Sequence, residues 1–192
     1  MLNSTFSFSV KAVAEDWVKV GTMLIVSQWL TGGSLLEGSW QQSSLFTLLG
    51  FTAYQLATKQ LLTPSNVREP GKSIIDDTLK FGTMFIVSRL LSGQSLADQS
   101  WISASIATLV GFAVYNIVVA TYVKGKDLTY NPKLQMVVDD WLKVGTMLMV
   151  SRIVSCESLF DPKWVSGSLA TIIGFSTYDL VTSHIIDKAF KN

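Results

Sequence analysis

Residues 99–123 run without a charged side chain, and the polar positions among them are limited to Gln, Ser, Thr and Asn. A helix rises 1.5 Å per residue, so about 20 such residues cross a ~30 Å hydrocarbon core, and the stretch predicts a membrane-spanning helix. Trp40 to Thr58 and Trp164 to Tyr178 repeat the pattern, uncharged for 19 and 15 residues. A helical segment with a shorter apolar run precedes each of them. Eight uncharged residues separate Lys80 from Arg89 and Lys143 from Arg152, while the first segment is uncharged from Val20 to Leu36, with Gln28 in the Arg position. Long basic side chains snorkel from both ends of such a segment, so about 20 residues from near Ser73 still predict a span. Apolar and polar residues occupy its whole circumference, as in a helix buried on all sides. Short apolar runs do not by themselves separate core helices from spans, which leaves a soluble helical repeat as the alternative.

The pattern is a repeat in the literal sense. DWVKVGTMLIVSQ from Asp16 returns as DTLKFGTMFIVSR from Asp77 and DWLKVGTMLMVSR from Asp140. TLLGFTAYQL from Thr47 returns as TLVGFAVYNI from Thr108 and TIIGFSTYDL from Thr171. Units 15–56, 76–117 and 139–180 align without a gap, with fifteen of 42 positions identical in all three. Triplication of a two-helix unit accounts for this, and repeats of such a period are read before anything else. The predicted architecture is an all-α membrane protein with six transmembrane helices as three tandem hairpins. Hairpin 1 takes 1–62, hairpin 2 takes 73–123 and hairpin 3 takes 132–188, joined by linkers 63–72 and 124–131 in one membrane domain. Each unit holds an even number of spans, so all three enter with the same orientation. A bundle with a pseudo-threefold axis along the membrane normal follows, unlike the inverted repeats of many transporters.

Local signals fit these boundaries. Ser73 with Asp76 reads as a capping box, and Asn131-Pro132 as a cap followed by proline at the first helical position. The first helices are expected to end near Gly32-Gly33, Ser92-Gly93 and Ser155. Ser-Leu-x-acid follows at Ser34 to Glu37, Ser95 to Asp98 and Ser158 to Asp161, a cap for a short turn or for the second helix. Trp40, Trp101 and Trp164 then stand at the hairpin end of each second helix, where an aromatic belt is expected.

Composition agrees with a membrane. Charged residues are 15% of the 192, against about 25% in a soluble domain, and mean hydropathy is +0.37. The net charge of +1 supplies no field for nucleic acid, which is not expected as a partner. Six spans put the termini and both linkers on one face, with twelve basic residues against three (Arg89, Arg152, Lys163) on the hairpin face. That bias predicts cytosolic termini. MLNSTFSFSV lacks a basic start followed by an apolar run, so no cleaved signal is expected, and the sequon at Asn3 is a pattern only.

Candidate chemistry is sparse. On the second helices Trp40, Ser44, Thr47, Phe51 and Tyr54 recur as Trp101, Ser105, Thr108, Phe112 and Tyr115, and as Trp164, Ser168, Thr171, Phe175 and Tyr178. Spacings of four and three place them on one face, a packing stripe or, in the sharper reading, the lining of an axial pore. Gly50 lies beside this stripe, and Gly21 with Thr22 in the middle of the first helix is a further point for close helix approach. Asp16 and Lys19, Asp77 and Lys80, Asp140 and Lys143 are three apart, adjacent on a helical face, and form an interfacial polar belt for anchoring or, alternatively, an ion or proton relay. Asp179 replaces Gln55 and Asn116 and is placed to pair with Lys143. Gln28, Arg89 and Arg152 make a polar layer at the opposite interface, facing headgroups or the acids Asp98, Glu157 and Asp161, or selecting anions. His184 and Cys156 have no partner at catalytic spacing, and GxxxxGK[ST], HExxH and GxSxG do not occur. No enzyme activity, metal or cofactor is expected.

The GTMxxVS[RQ] and T-x-x-GF-x-x-Y segments resemble small multi-span proteins of the internal membrane of large icosahedral double-stranded DNA viruses, across the three units and so about two thirds of the chain. The design differs from mitochondrial carriers, whose proline-acid-basic signature is replaced here by SQWL, SRLL or SRIV. The resemblance implies a structural protein of the virion inner membrane, without catalytic residues, linking a bilayer to a capsid or coat protein. The alternative from another class is a small channel or transporter with a pore on the pseudo-threefold axis.

Overall fold

In the computed structural model the described residues are 2–62, 67–123 and 131–190, and all of their regular structure is helical. Linker residues 63–66 and 124–130, with Lys124 and Lys126 of the charge count, lie outside them, as do Lys191 and the side chain of Asn3. Six long helices run in order. Helix α1 is Leu2–Leu30 and α2 is Gly38–Ala53, continued by a π turn, Tyr54–Thr58, into Lys59–Leu62. Helix α3 is Gly71–Leu91 and α4 is Gln99–Val123, with its π turn at Tyr115–Val119. Helix α5 is Pro132–Val154, and α6 is Pro162–Thr177 continued through a π turn, Tyr178–Thr182, into Ser183–Ala189.

Caps follow local chemistry. Asn131 accepts from the Lys133 N–H at 2.9 Å with proline next to it, and Asp98 and Asp161 cap α4 and α6 through the N–H groups two and three residues on. Glu37 stands in the same place before α2 but caps no backbone group, accepting from the Ser39 hydroxyl at 2.6 Å. The capping box expected at Ser73 is not one. Helix α3 begins at Gly71, two residues earlier, and Ser73 donates its N–H and its hydroxyl back to Glu69. Glu69, upstream of the helix, takes the place of the capping side chain.

Each first helix ends in the same turn, with a left-handed residue at Gly32 (φ 76°), Gly93 (φ 66°) and Cys156 (φ 55°). The next N–H then reaches back to Gln28, Arg89 or Arg152, satisfying a carbonyl that the helix end leaves open. Glycine adopts this conformation freely, while Cys156 holds it with a Cβ.

The helices pack in cyclic order. Helix α2 lies most extensively on α3, α4 on α5, and α6 on α1, so contacts between successive units exceed those within a hairpin. Glycines set the separation. A Cβ at Gly50 would stand 2.7 Å from Met84 Cα, one at Gly111 2.6 Å from the Met147 carbonyl oxygen, and one at Gly174 2.7 Å from Met23 Cα. The glycines of the first helices do not share this role: Gly21 and Gly82 have nothing within 4 Å of a Cβ position. The seam was expected at both glycine positions, and only the second-helix one touches backbone.

The core is apolar at Val20, Phe51, Tyr54, Ala107, Phe112, Val144, Ala170 and Tyr178, but it also takes in polar groups, and many large apolar residues face outward. Asp16, Gln55, Asp77, Asn116 and Asp179 are buried, whereas Ile25, Trp29, Leu45, Ile106, Ile117, Met149, Ile153 and Leu169 are exposed. On α4 exposed apolar residues run from Ile102 to Tyr122, about 30 Å of helix at 1.5 Å per residue. That helix, Gln99–Val123, is the one among the described residues long and apolar enough to cross a membrane by length and composition.

Candidate functional site

The buried polar groups form one cyclic arrangement. Lys80 donates to Asp16 at 2.6 Å, Lys143 donates to Asp77 at 2.7 Å, and Lys19 lies 2.6 Å from Asp140. Each lysine thus meets the aspartate of the preceding unit. Asp and Lys of one unit lie adjacent on a helical face, and the cyclic packing brings the previous unit's carboxylate beside the lysine. Asp16 and Asp77 are only 7% exposed, while Asp140 and the three lysines of the belt are half-buried. Ionisable groups within an apolar bundle turn inward and pair, because pairing offsets their desolvation.

Aromatic rings complete each joint. Lys80 lies 5.4 Å from the Phe51 ring centroid, Lys143 5.6 Å from Phe112, and Lys19 5.5 Å from both Phe175 and Tyr178. These distances suit cation–π attraction, which strengthens when water is excluded. The Tyr54 hydroxyl donates to Asp76.

The second helices supply the remaining hydrogen bonds at their π turns. In the first unit the Gln55 amide donates to Asp16 Oδ2 at 2.7 Å, and in the second the Asn116 amide donates to Asp77 Oδ2 at 2.8 Å. The i→i−5 bonds that close the three turns begin at Tyr54, Tyr115 and Tyr178, one residue before these positions. In the third unit the position is Asp179, 1% exposed, against Asp140. The pairing with Lys143 expected from the sequence does not occur: Lys143 is engaged by Asp77, and Lys19 is the lysine whose charge acts on Asp179.

A cavity of about 250 Å³ adjoins the ring, lined by residues of all three units: the three Asp/Lys pairs, Phe51, Phe81, Phe112 and Phe175, and Met23, Met84 and Met147. Phe81 stacks on Phe112 at 4.0 Å and meets Phe51 edge-on at 5.7 Å. Thr47 and Thr171 reach its wall, but their hydroxyls donate to the carbonyls of Ser43 and Gly167 in their own helices, and Thr108 likewise donates to Ala104. In the packing stripe Phe51, Tyr54, Phe112 and Tyr178 are buried, and Phe175 and Tyr115 half-buried. Ser44, Ser105, Ser168 and the tryptophans Trp40, Trp101 and Trp164 are also half-buried. Within hairpins, Trp17 donates to Thr52 at 2.7 Å and Trp141 to Ser176 at 2.6 Å; the second unit has Thr78 and Ala113 there, so both partners change together.

The opposite polar layer clamps the hairpin loops. Gln28, Arg89 and Arg152 donate to the carbonyls of Ser34, Ser95 and Ser158. Arg89 also bonds Asp98 at 2.8 Å and lies 5.4 Å from the Trp101 ring, while Arg152 bonds Glu157 and Asp161 and lies 5.6 Å from Trp164. Asp98 accepts from the Ser100 hydroxyl and the Trp101 N–H, which hold its carboxyl down at about 2. Asp161 is lowered by the N–H groups of Lys163 and Trp164. His184 and Cys156 are exposed.

The joints across units, the Gln55 and Asn116 donors and the π turns were not anticipated. A signal existed for the donors: an amide, an amide and an acid at one repeated position following Tyr. Compared with protein-family models, curated proteins and solved structures, the chain has no match.

Proposed function

We propose that this chain is a non-enzymatic structural protein of a membrane, six spans in three tandem hairpins around a pseudo-threefold axis. The observation that carries the reading is the belt of exposed Ile, Leu, Met and Trp around a bundle whose apolar core also holds carboxylates and carboxamides. In water that belt would be an aggregation surface, whereas in lipid it is solvated. Its ionisable groups bind one another across units, which uses them as fasteners. Following the resemblance, the bundle belongs to a virion inner membrane and its linker face, cytosolic by the charge bias, docks a capsid or coat protein. A pore on the axis is the second reading, favoured by the cavity that all three units line. Against it stand the phenylalanines and the ion-paired ring that line this cavity.

Sequential extraction of membranes or particles with carbonate and then mild detergent tests this. Release by detergent only, together with coat or capsid proteins, is the expected result. Release by carbonate alone refutes the membrane reading. A lone monodisperse bundle that passes ions in a liposome flux assay refutes the structural one.

A further inference from the structure

Two of the three ring aspartates receive a hydrogen bond on Oδ2 from a carboxamide, Gln55 for Asp16 and Asn116 for Asp77. The third, Asp140, meets the carboxyl of Asp179 instead, within hydrogen-bonding contact. Both oxygens of Asp179 and Oδ2 of Asp140 are buried and receive no hydrogen bond. Lys19 comes within ion-pair distance of Asp140 Oδ2, but off the direction of a hydrogen bond. An ionised carboxylate only accepts, whereas a protonated one carries an O–H donor. Two carboxylates in contact through buried oxygens, with one ammonium to serve both, leave an uncompensated charge inside the bundle, and sharing a proton removes it.

We propose that the third unit is a proton-binding site, in which Asp179 is a carboxylic acid that donates its O–H to Asp140 Oδ2. The acid then reproduces the Asn116–Asp77 bond with an O–H in place of an amide N–H. No covalent partner or metal is needed, and the ligand is one proton taken from water. The charged and titratable groups facing Asp179 are Asp140 on α5 and Lys19 on α1, with Tyr178 beside it in sequence. With the proton bound, the cluster is Asp140⁻, Lys19⁺ and a neutral acid, balanced like its two counterparts. The contact is buried by the bundle's own helices, so the proposal stands whether the bundle's outside meets lipid or another protein.

Infrared spectroscopy of the purified full chain at neutral pH tests it, with the Asp179→Asn variant as control. The expected result is a carboxylic-acid C=O band in the parent that shifts in deuterated water and is lost in D179N, whose amide donates to Asp140 as Asn116 does to Asp77. A band that persists in D179N, or a parent without one at neutral pH, overturns the proposal. A second measurement is unfolding as a function of pH. The native state holds a proton that an ordinary carboxyl in the unfolded chain releases above about 3.9. Stability of the parent relative to D179N is therefore expected to fall as pH rises above that value, and a difference independent of pH overturns the site.

Discussion

Alanine substitution at two sets of glycines has opposite expected signs, although the residues look interchangeable in the repeat. At Gly111 a Cβ would stand 2.6 Å from the Met147 carbonyl oxygen and 2.8 Å from its Cα, both backbone atoms that no rotamer moves. Ordinary carbon contacts lie at roughly 3.5–4.0 Å, so α4 and α5 must separate by about 1 Å. A gap of that size forfeits about a quarter to a half of each contact, and overpacking of this kind costs roughly 1–3 kcal/mol. Alanine's higher helix propensity returns up to about 1 kcal/mol, leaving a net loss of up to about 2 kcal/mol. At Gly82, with nothing within 4 Å, only the propensity gain of about 0.5–1 kcal/mol remains. Equilibrium unfolding of the purified protein, followed by tryptophan fluorescence, measures both. Gly50→Ala and Gly174→Ala are expected to match Gly111→Ala, and Gly21→Ala to match Gly82→Ala. If Gly111→Ala stabilises as much as Gly82→Ala does, the helices do not approach at these glycines and the cyclic packing is wrong.

Lys80→Met strands the Asp16 carboxylate and is expected to cost about 3 kcal/mol, much of it recovered in Asp16→Asn/Lys80→Met; a double-mutant cycle with no coupling refutes the pairing between units. Cys156→Gly relieves a left-handed residue and is expected to stabilise by about 1 kcal/mol, visible as a higher unfolding midpoint; a lower midpoint counts against the shared turn. The Asp98 cap stabilises above the ordinary carboxyl value of about 3.9, and that contribution is lost as pH falls through about 2. The stability difference between the parent and Asp98→Ala is therefore expected to be level at neutral pH and to vanish toward pH 2, and a difference that grows on acidification contradicts the cap.

The six helices and their hairpin turns were legible because they rest on local signals: uncharged runs, Asn-Pro and Asp caps, and glycines after the first helices. What joins the units was not, because it depends on which neighbour a helix meets. Asp77 and Lys80 share a face in sequence, yet Lys80 is drawn to Asp16 because α2 packs on α3. Gly50 and Gly21 are both small residues in a helix, and only the tertiary arrangement decides that one touches a methionine backbone. The π turns leave no local breaker, since YQLAT, YNIVV and YDLVT contain neither glycine nor proline. Asp179 was visible as the odd member of its column, but its partner follows from α5 and α6 lying together in one hairpin.

The order of contacts, each unit's second helix on the next unit's first and the last on α1, is that of a heterologous interface that closes after three copies. A homotrimer of hairpins would use the same surfaces, with one difference that covalent fusion makes possible. Identical subunits must place any residue at all three corners, so an acid at the Gln55 position would bring three carboxyls against three carboxylates. A single chain admits it once. Joining the corners by linkers frees one of them to diverge while the other two keep the ring closed.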